Sequence, residues 1–148
     1  MKKILIVDDD KKGIAPLAIR LKAAGYDVVT AATATEGLKQ AVQHRPDLIV
    51  MDIWMPDGLG ILAAQRLKHF GLAEVPVIFL TAGRKEELWS IVEEVKPAGF
   101  FEKPYDSKKL IAAIATMLAQ NTLSTALVSS RKPELQNVKA RYEKNSDY

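Results

Sequence analysis

Four short apolar runs in this chain end in residues that are capable of chemistry. Three adjacent carboxylates follow the first run, and single reactive residues follow three later ones. In chain order they are Asp8, Asp9 and Asp10, then Asp52, Thr81 and Lys103. Neighbouring carboxylates repel one another and bind protons more tightly unless a cation or hydrogen bonds offset their charge. The acidic triplet therefore indicates either solvated loop residues or a bound positive charge.

The elements that position these residues are five apolar runs at roughly regular spacing. They are KILIVD, YDVVTA, PDLIVMD, VPVIFLT and AGFFEK. They are rich in Val, Ile, Leu and Phe without strict alternation, which is typical of parallel strands covered on both faces. Segments with helical spacing lie between them. Strand and helix therefore alternate five times, and this predicts right-handed βαβ units around a parallel sheet.

The helical segments are marked by apolar residues three or four positions apart. The first three sets are Leu17, Leu21 and Ala24, then Leu38, Ala41 and Val42, then Ile61, Leu62 and Leu67. The last two are Leu88, Ile91, Val92 and Val95, then Leu110, Ile111, Ile114, Met117 and Leu118. Thr33 and Glu36 are spaced as a capping box at the start of the second helix. Pro16 is expected in the opening turns of the first.

In open parallel sheets the working residues lie beyond the carboxyl ends of the strands. The first, third, fourth and fifth strands end in the reactive residues, whereas the second ends at Ala31-Ala32 and offers none. Carboxylates from two strand ends form an oxygen-only cluster that suits Mg²⁺ and leaves a coordination position for a phosphoryl oxygen. Asp52 is then the candidate nucleophile for an aspartyl-phosphate. Thr81 can donate a hydroxyl hydrogen bond, and Lys103 supplies a point charge.

Composition narrows the classes of protein to which this chain could belong. The 148 residues contain no cysteine, which excludes disulfides and thiol chemistry. The formal net charge of +3 is spread along the chain, without a basic stripe interleaved with aromatics, so direct nucleic-acid binding is not expected. No apolar run approaches the roughly 18 residues of a membrane span. We expect a cytoplasmic protein without a membrane partner.

The motifs together resemble the receiver domain of a two-component response regulator, a CheY-like domain. They are IVDD at 6–9, PDLIVMDIWMP at 46–56, LTA at 80–82 and KP at 103–104. Their order and spacing agree with the family over residues 1–119. The resemblance implies an α/β fold of the flavodoxin-like, (βα)5 doubly wound type, with a parallel sheet of strand order 2-1-3-4-5.

The resemblance also implies a role for each site residue. Asp52 accepts the phosphoryl group. Asp9 ligates Mg²⁺ directly, Asp8 does so mainly through water, and the backbone carbonyl of Trp54 completes the protein ligands. Thr81 and Lys103 bind the phosphoryl oxygens, and Thr81 and Phe100 are the switch residues. The Lys103–Pro104 bond is expected to be cis.

The partners that the resemblance implies are a sensor histidine kinase or a histidine phosphotransfer protein, and a downstream protein target. Phosphorylation of Asp52 is expected to shift an existing conformational equilibrium and so control partner binding. The face formed by the fourth helix, the fifth strand and the fifth helix is a candidate surface for a homodimer. Enzymatic activity is expected only as self-phosphorylation and self-dephosphorylation.

Two residues depart from the family pattern. Leu59 stands where many receivers carry an acidic residue, and Trp54 is bulkier than most residues at its position.

Two other functions are open at this point. A haloacid-dehalogenase-like phosphatase would use Asp8 as nucleophile and Asp10 as acid/base. A phosphorylation-independent scaffold would need no acceptor. In the receiver interpretation, Asp10 is a solvated residue near the first helix.

Residues 120–148 are expected to be a C-terminal tail or linker, because apolar periodicity falters at QNTLST. Pro133 and Glu134 could open one short helix. Twenty-nine residues are too few for an ordinary output domain.

Overall fold

The structure, a computed structural model, describes residues 1–83 and 85–130, apart from some side chains of the fourth helix and of the last helical turns. The chain divides into two compact units, Met1–Ala115 and Thr116–Tyr148. The short helix predicted at Pro133 lies outside the described residues. Among the described residues, no helix combines the length and apolar character needed to cross a membrane.

A five-stranded parallel sheet forms the centre of the first unit. Its strands are β1 (Lys3–Val7), β2 (Asp27–Ala31), β3 (Leu48–Asp52), β6 (Val77–Thr81) and β7 (Gly99–Glu102). The order across the sheet is β2-β1-β3-β6-β7, and every neighbouring pair is parallel. Counted along the sheet strands alone, this is the order 2-1-3-4-5, so the predicted flavodoxin-like fold is confirmed.

Two short strands that the sequence does not predict form a separate antiparallel hairpin. They are β4 (Trp54–Met55) and β5 (Gly58–Leu59). The hairpin follows β3 directly, so it lies next to the last residue of that strand. Two-residue strands are too short to show any periodicity, which is why no pattern marks them.

Five α-helices and one 3₁₀ helix complete the described elements. They are α1 (Lys11–Ala23), α2 (Ala34–His44), α3 (Gly60–Arg66), the 3₁₀ helix η1 (Leu67–Phe70), α4 (Lys85–Val95) and α5 (Ser107–Ser130). One half of the predicted capping box of α2 is present, since the Thr33 hydroxyl accepts a hydrogen bond from the Glu36 N–H at 3.1 Å. The Glu36 carboxylate instead accepts from Gln40 Nε2 at 2.7 Å. Pro16 lies inside α1, in the second turn of the helix, in agreement with its predicted place in the opening turns.

The sheet is buried on both faces. One face carries Leu5, Ile49 and Phe79, which belong to a core cluster that includes side chains of α2, α3 and α4. Successive strand residues point to opposite faces, and Ile4 and Ile78 are equally buried. Burial on both faces explains why the strands read as continuous apolar runs.

Two helices differ from the sequence-based prediction. Leu62, taken as an apolar marker of α3, is 47% exposed. The last helix, α5, continues through QNTLST to Ser130 although apolar periodicity falters there. Residues 107–130 contain neither glycine nor proline, so the two residue types that disfavour a helix most strongly do not interrupt it.

Candidate functional site

The reactive residues lie at the carboxyl ends of adjacent strands. Asp52 ends β3 and pairs in register with Leu80, one residue before Thr81. Asp8 follows Val7, the last residue of β1, which pairs with Met51. Asp8, Asp52 and Thr81 are buried, with 3%, 5% and 0% of their surface exposed. Buried carboxylates must be paired with a cation or hydrogen-bonded.

Lys103 pairs both buried carboxylates. Its Nζ donates to Asp8 Oδ2 at 2.7 Å and to Asp52 Oδ2 at 3.1 Å. Its backbone N–H donates to the Thr81 carbonyl at 2.7 Å, which attaches the end of β7 to the end of β6. The Lys103–Pro104 peptide bond is cis, as expected. One ammonium group therefore offsets part of the charge of two carboxylates.

Burial and neighbouring charges determine how these groups titrate. Burial raises the pKa of Asp52, and the charge of Asp8 adds to this, while the hydrogen bond and charge of Lys103 act in the opposite direction. Burial acts to lower the pKa of Lys103, but its hydrogen bonds to Asp8 and Asp52 outweigh that effect and the pKa is raised. The lysine therefore stays charged, and Asp52 binds protons more tightly than an ordinary aspartate.

A third carboxylate joins the cluster from the surface. Ligand oxygens of Asp8, Asp9 and Asp52 all lie within 4.8 Å of one another, and Asp9 is exposed. An oxygen-only set of three carboxylates at this spacing fits a hard divalent cation such as Mg²⁺. Asp10 is not part of it. Its carboxylate accepts from the Lys12 N–H at 3.1 Å and caps α1.

The hairpin starts directly beside Asp52. The Trp54 N–H donates to Asp52 Oδ1 at 3.2 Å, and 41% of the Trp54 surface is exposed. The Gly60 N–H donates to the Ile53 carbonyl at 2.8 Å. A Cβ on Gly60 would lie 2.1 Å from the Asp52 carbonyl oxygen. The chain therefore returns to the backbone of Asp52, and only glycine permits that approach.

The two predicted switch residues lie on neighbouring strands. The Thr81 hydroxyl donates to the Gly83 carbonyl at 2.8 Å. Phe100 is half-buried on β7 and packs against Phe79, with ring centroids 5.7 Å apart and planes tilted by 45°. Their role in switching stays a prediction.

Two residues near the site were missed by sequence reasoning. Burial and the charge of Asp8 raise the pKa of Tyr105, which places its phenol within electrostatic reach of the acidic cluster. Its position directly after Lys103-Pro104 was the available signal. Asp57 binds the amino terminus of α2 through Ala34 and Thr35, far away in sequence. No local pattern identifies that contact.

A five-stranded doubly wound domain with an acidic cluster and a lysine at its carboxyl edge defines a class of phosphoryl-accepting signalling domains. The family model for the response regulator receiver domain matches residues 4–115. This chain belongs to that family, and the identification made from its motifs is confirmed.

Relatives of known name agree with the family. The chain is 30% identical over 135 residues to the alkaline phosphatase synthesis transcriptional regulatory protein PhoP of Bacillus subtilis, covering 91% of this chain and 56% of that protein. It is 34% identical over 118 residues to the phosphate regulon transcriptional regulatory protein PhoB of Pseudomonas aeruginosa, covering 79% and 52%. The chain thus spans about half the length of these relatives.

Solved structures show the same fold. A CheY-like receiver domain protein from Methanospirillum hungatei has a TM-score of 0.79 at 27% identity, covering 84% of this chain and 98% of that one. The chemotaxis response regulator CheY4 of Vibrio cholerae has a TM-score of 0.72 at 28% identity, covering 78% and 98%. Family membership, together with the role of Asp10 as a helix cap, removes the basis for the phosphatase alternative.

Proposed function

We propose that this chain is a phosphoacceptor whose phosphorylation at Asp52 depends on Mg²⁺. The observation that carries the proposal is the pairing of Lys103 with Asp8 and Asp52, beside the exposed carboxylate of Asp9. The cluster combines a nucleophile, a cation and further oxygen ligands. Phosphoryl transfer requires mainly positioning and neutralisation of charge, and this arrangement supports both.

In the proposed reaction, a carboxylate oxygen of Asp52 attacks the phosphorus of a phosphohistidine. The P–N bond breaks, its electron pair stays on the imidazole, and the imidazole takes up a proton. The product at Asp52 is a mixed anhydride, which water later hydrolyses to release phosphate. Since Asp52 Oδ1 accepts from the Trp54 N–H and Oδ2 from Lys103, both oxygens are oriented before the donor arrives.

Asp8, Asp9, Asp52 and the backbone carbonyl of Trp54 would hold the metal. When bound, Mg²⁺ would offset most of the charge of the carboxylates and offer a coordination position to one phosphoryl oxygen. The Lys103 ammonium group, which donates to Asp8 and Asp52 in this structure, would then donate to a phosphoryl oxygen instead.

Thr81 has to exchange its present hydrogen bond for a new one if it is to bind a phosphoryl oxygen. Its hydroxyl donates to the Gly83 carbonyl in this structure. Rotation toward a phosphoryl oxygen on Asp52 would break that bond, and this supports Thr81 as the residue that senses phosphorylation. We propose Phe100 as the second switch residue, because Phe100 lies on β7, the strand that pairs with the strand of Thr81.

The proposed phosphodonor is a sensor histidine kinase or a histidine phosphotransfer protein, and the output is binding of a downstream protein target. The relatives are named as transcriptional regulators. The absence of direct nucleic-acid binding by this chain, the homodimer through α4, β7 and α5, and a receiver over residues 1–119 remain predictions.

Trp54 is proposed to protect the phosphorylated state. Its backbone contacts Asp52, and its partly exposed ring would cover the acceptor and slow the attack of water. The half-life of the phosphorylated protein should shorten in Trp54→Ala and stay near the wild-type value in Trp54→Phe. An unchanged half-life in Trp54→Ala removes this part of the proposal.

The test of the main proposal is phosphorylation of the full chain by acetyl phosphate in the presence of Mg²⁺. Mass spectrometry should show one added phosphoryl group on the wild type and none on Asp52→Asn. Asp47→Asn is the matched control, because Asp47 lies just before the opposite end of the same strand and should leave phosphorylation intact. A phosphoryl group retained by Asp52→Asn would contradict the assignment.

A further inference from the structure

Asp57 connects the hairpin beside the phosphoacceptor to a helix that is distant in sequence. Trp54 pairs with Leu59 and Met55 with Gly58, which leaves Pro56 and Asp57 at the tip of the hairpin. The exposed Asp57 carboxylate accepts from the Ala34 N–H at 2.9 Å and from the Thr35 N–H at 2.9 Å. These amides belong to the first turn of α2.

This contact adds to a cap of α2 that is already present. The first N–H groups of a helix have no intrahelical partner, and a single N-cap side chain satisfies one of them. Thr33 already does this by accepting from the Glu36 N–H. Asp57 adds two hydrogen bonds from outside the helix, and they lower the pKa of its carboxyl group.

The contact restrains the end of the hairpin that the sheet does not hold. At the base, the Trp54 N–H bonds to Asp52 and the Gly60 N–H bonds to the Ile53 carbonyl. A hairpin with two-residue strands is marginal in water by itself. Without Asp57, the hairpin would be held by its own strand pairing, by the burial of Met55 and by the packing of Leu59 against the core.

We propose that Asp57 is a positioning residue, which fixes the hairpin on α2 and so keeps the Trp54 backbone beside Asp52, where the Trp54 carbonyl would join the metal ligands. The inference rests on the proposed function, because it assigns a supporting contact to that same site. It adds a residue outside the metal ligands and the phosphoryl-binding groups. Partners that orient a metal ligand commonly change metal affinity without touching the ion.

The expected effect is a loss of Mg²⁺ affinity in Asp57→Ala. Removing an orienting partner typically weakens metal binding by about ten-fold or more. Asp57 is exposed, so solvent weakens its contribution, and we expect a reduction of about three- to ten-fold. Asp57→Asn keeps one acceptor oxygen and should lie between the wild type and Asp57→Ala.

The experiment compares Asp57→Ala with Thr33→Ala in the full chain. Both variants remove hydrogen bonds from the first turn of α2, but only Asp57→Ala releases the hairpin. Mg²⁺ dissociation constants are measured by isothermal titration calorimetry, and urea unfolding gives the stability of each variant. Thr33→Ala should lose stability and keep wild-type Mg²⁺ affinity, whereas Asp57→Ala should lose affinity as well. If Asp57→Ala does not fold, Asp57→Asn replaces it.

Other outcomes overturn the inference in distinct ways. Wild-type affinity in Asp57→Ala shows that the contact only caps the helix. An equal loss in both variants shows that the stability of α2 matters rather than the hairpin. A wild type that neither binds Mg²⁺ nor takes up a phosphoryl group from acetyl phosphate contradicts the proposed function itself, and the inference with it.

Discussion

Replacing Lys103 by methionine should strongly destabilise the protein in the absence of divalent cations. Its Nζ lies 2.7 Å from Asp8 Oδ2 and 3.1 Å from Asp52 Oδ2. At an effective dielectric constant of about 20, each contact corresponds to roughly 5–6 kcal/mol of Coulomb attraction before desolvation is subtracted. Removing one partner of a buried ion pair costs about 3–5 kcal/mol. Because 23% of the lysine side chain is exposed, we expect the lower end of that range.

The assay is urea unfolding at neutral pH with EDTA present. The raised pKa of Lys103 means that its contribution is fully present below its ordinary value of 10.5 and is lost as pH rises through the raised value. Lys109→Met, at an exposed position of α5, is the control and should change the free energy of unfolding little. Adding Asp52→Asn to Lys103→Met should restore part of the stability, because one unpaired buried charge is removed. A loss below about 1 kcal/mol in Lys103→Met would refute the reasoning, since that is the range of exposed pairs.

Three further substitutions test the site and its support. Because the pKa of Asp52 is raised, the folded state binds the proton more tightly than the unfolded state, so stability falls as pH rises from 3.8 to the raised value. At neutral pH without Mg²⁺, Asp52→Asn should therefore be more stable than the wild type by on the order of 1 kcal/mol. This difference in stability should disappear in acid, where Asp52 is protonated. Gly60→Ala places a Cβ 2.1 Å from the Asp52 carbonyl oxygen, so the backbone must shift and phosphorylation by acetyl phosphate should slow markedly. Gly37→Ala places a Cβ 2.7 Å from Val7 Cγ1 and should cost about 1–3 kcal/mol in urea unfolding, while the rate of phosphorylation stays unchanged.

The fold was predictable because its signals are local and repeated. Each sheet strand is an apolar run, and the helices between them carry their own periodicity, as in Leu17 and Leu21 of α1. The rule that polar residues gather at the carboxyl ends of parallel strands then selected Asp8, Asp52, Thr81 and Lys103 as a group. The structure places the first two in contact with Lys103, and Thr81 joins through the backbone.

The same local signals were misleading or absent elsewhere. Leu62 fits the helical spacing of α3 but faces solvent, because periodicity does not identify which residues the neighbouring elements cover. The faltering periodicity after Ala119 did not end α5, which continues to Ser130 through residues that include neither glycine nor proline. The hairpin at Trp54–Leu59 was missed because its strands contain only two residues each.

The sequence by itself determined which residue types lie at which strand ends, and so the chemistry that the site could perform. Strand identity depends on short-range composition, which can be read along the chain. Only the tertiary structure decided how the charges pair: Lys103 lies 95 residues from Asp8 and 51 from Asp52, yet one ammonium group contacts both. The contact of Asp57 with the amino terminus of α2 is of the same kind. Such contacts depend on where the chain returns in space, and no spacing along the sequence encodes that return.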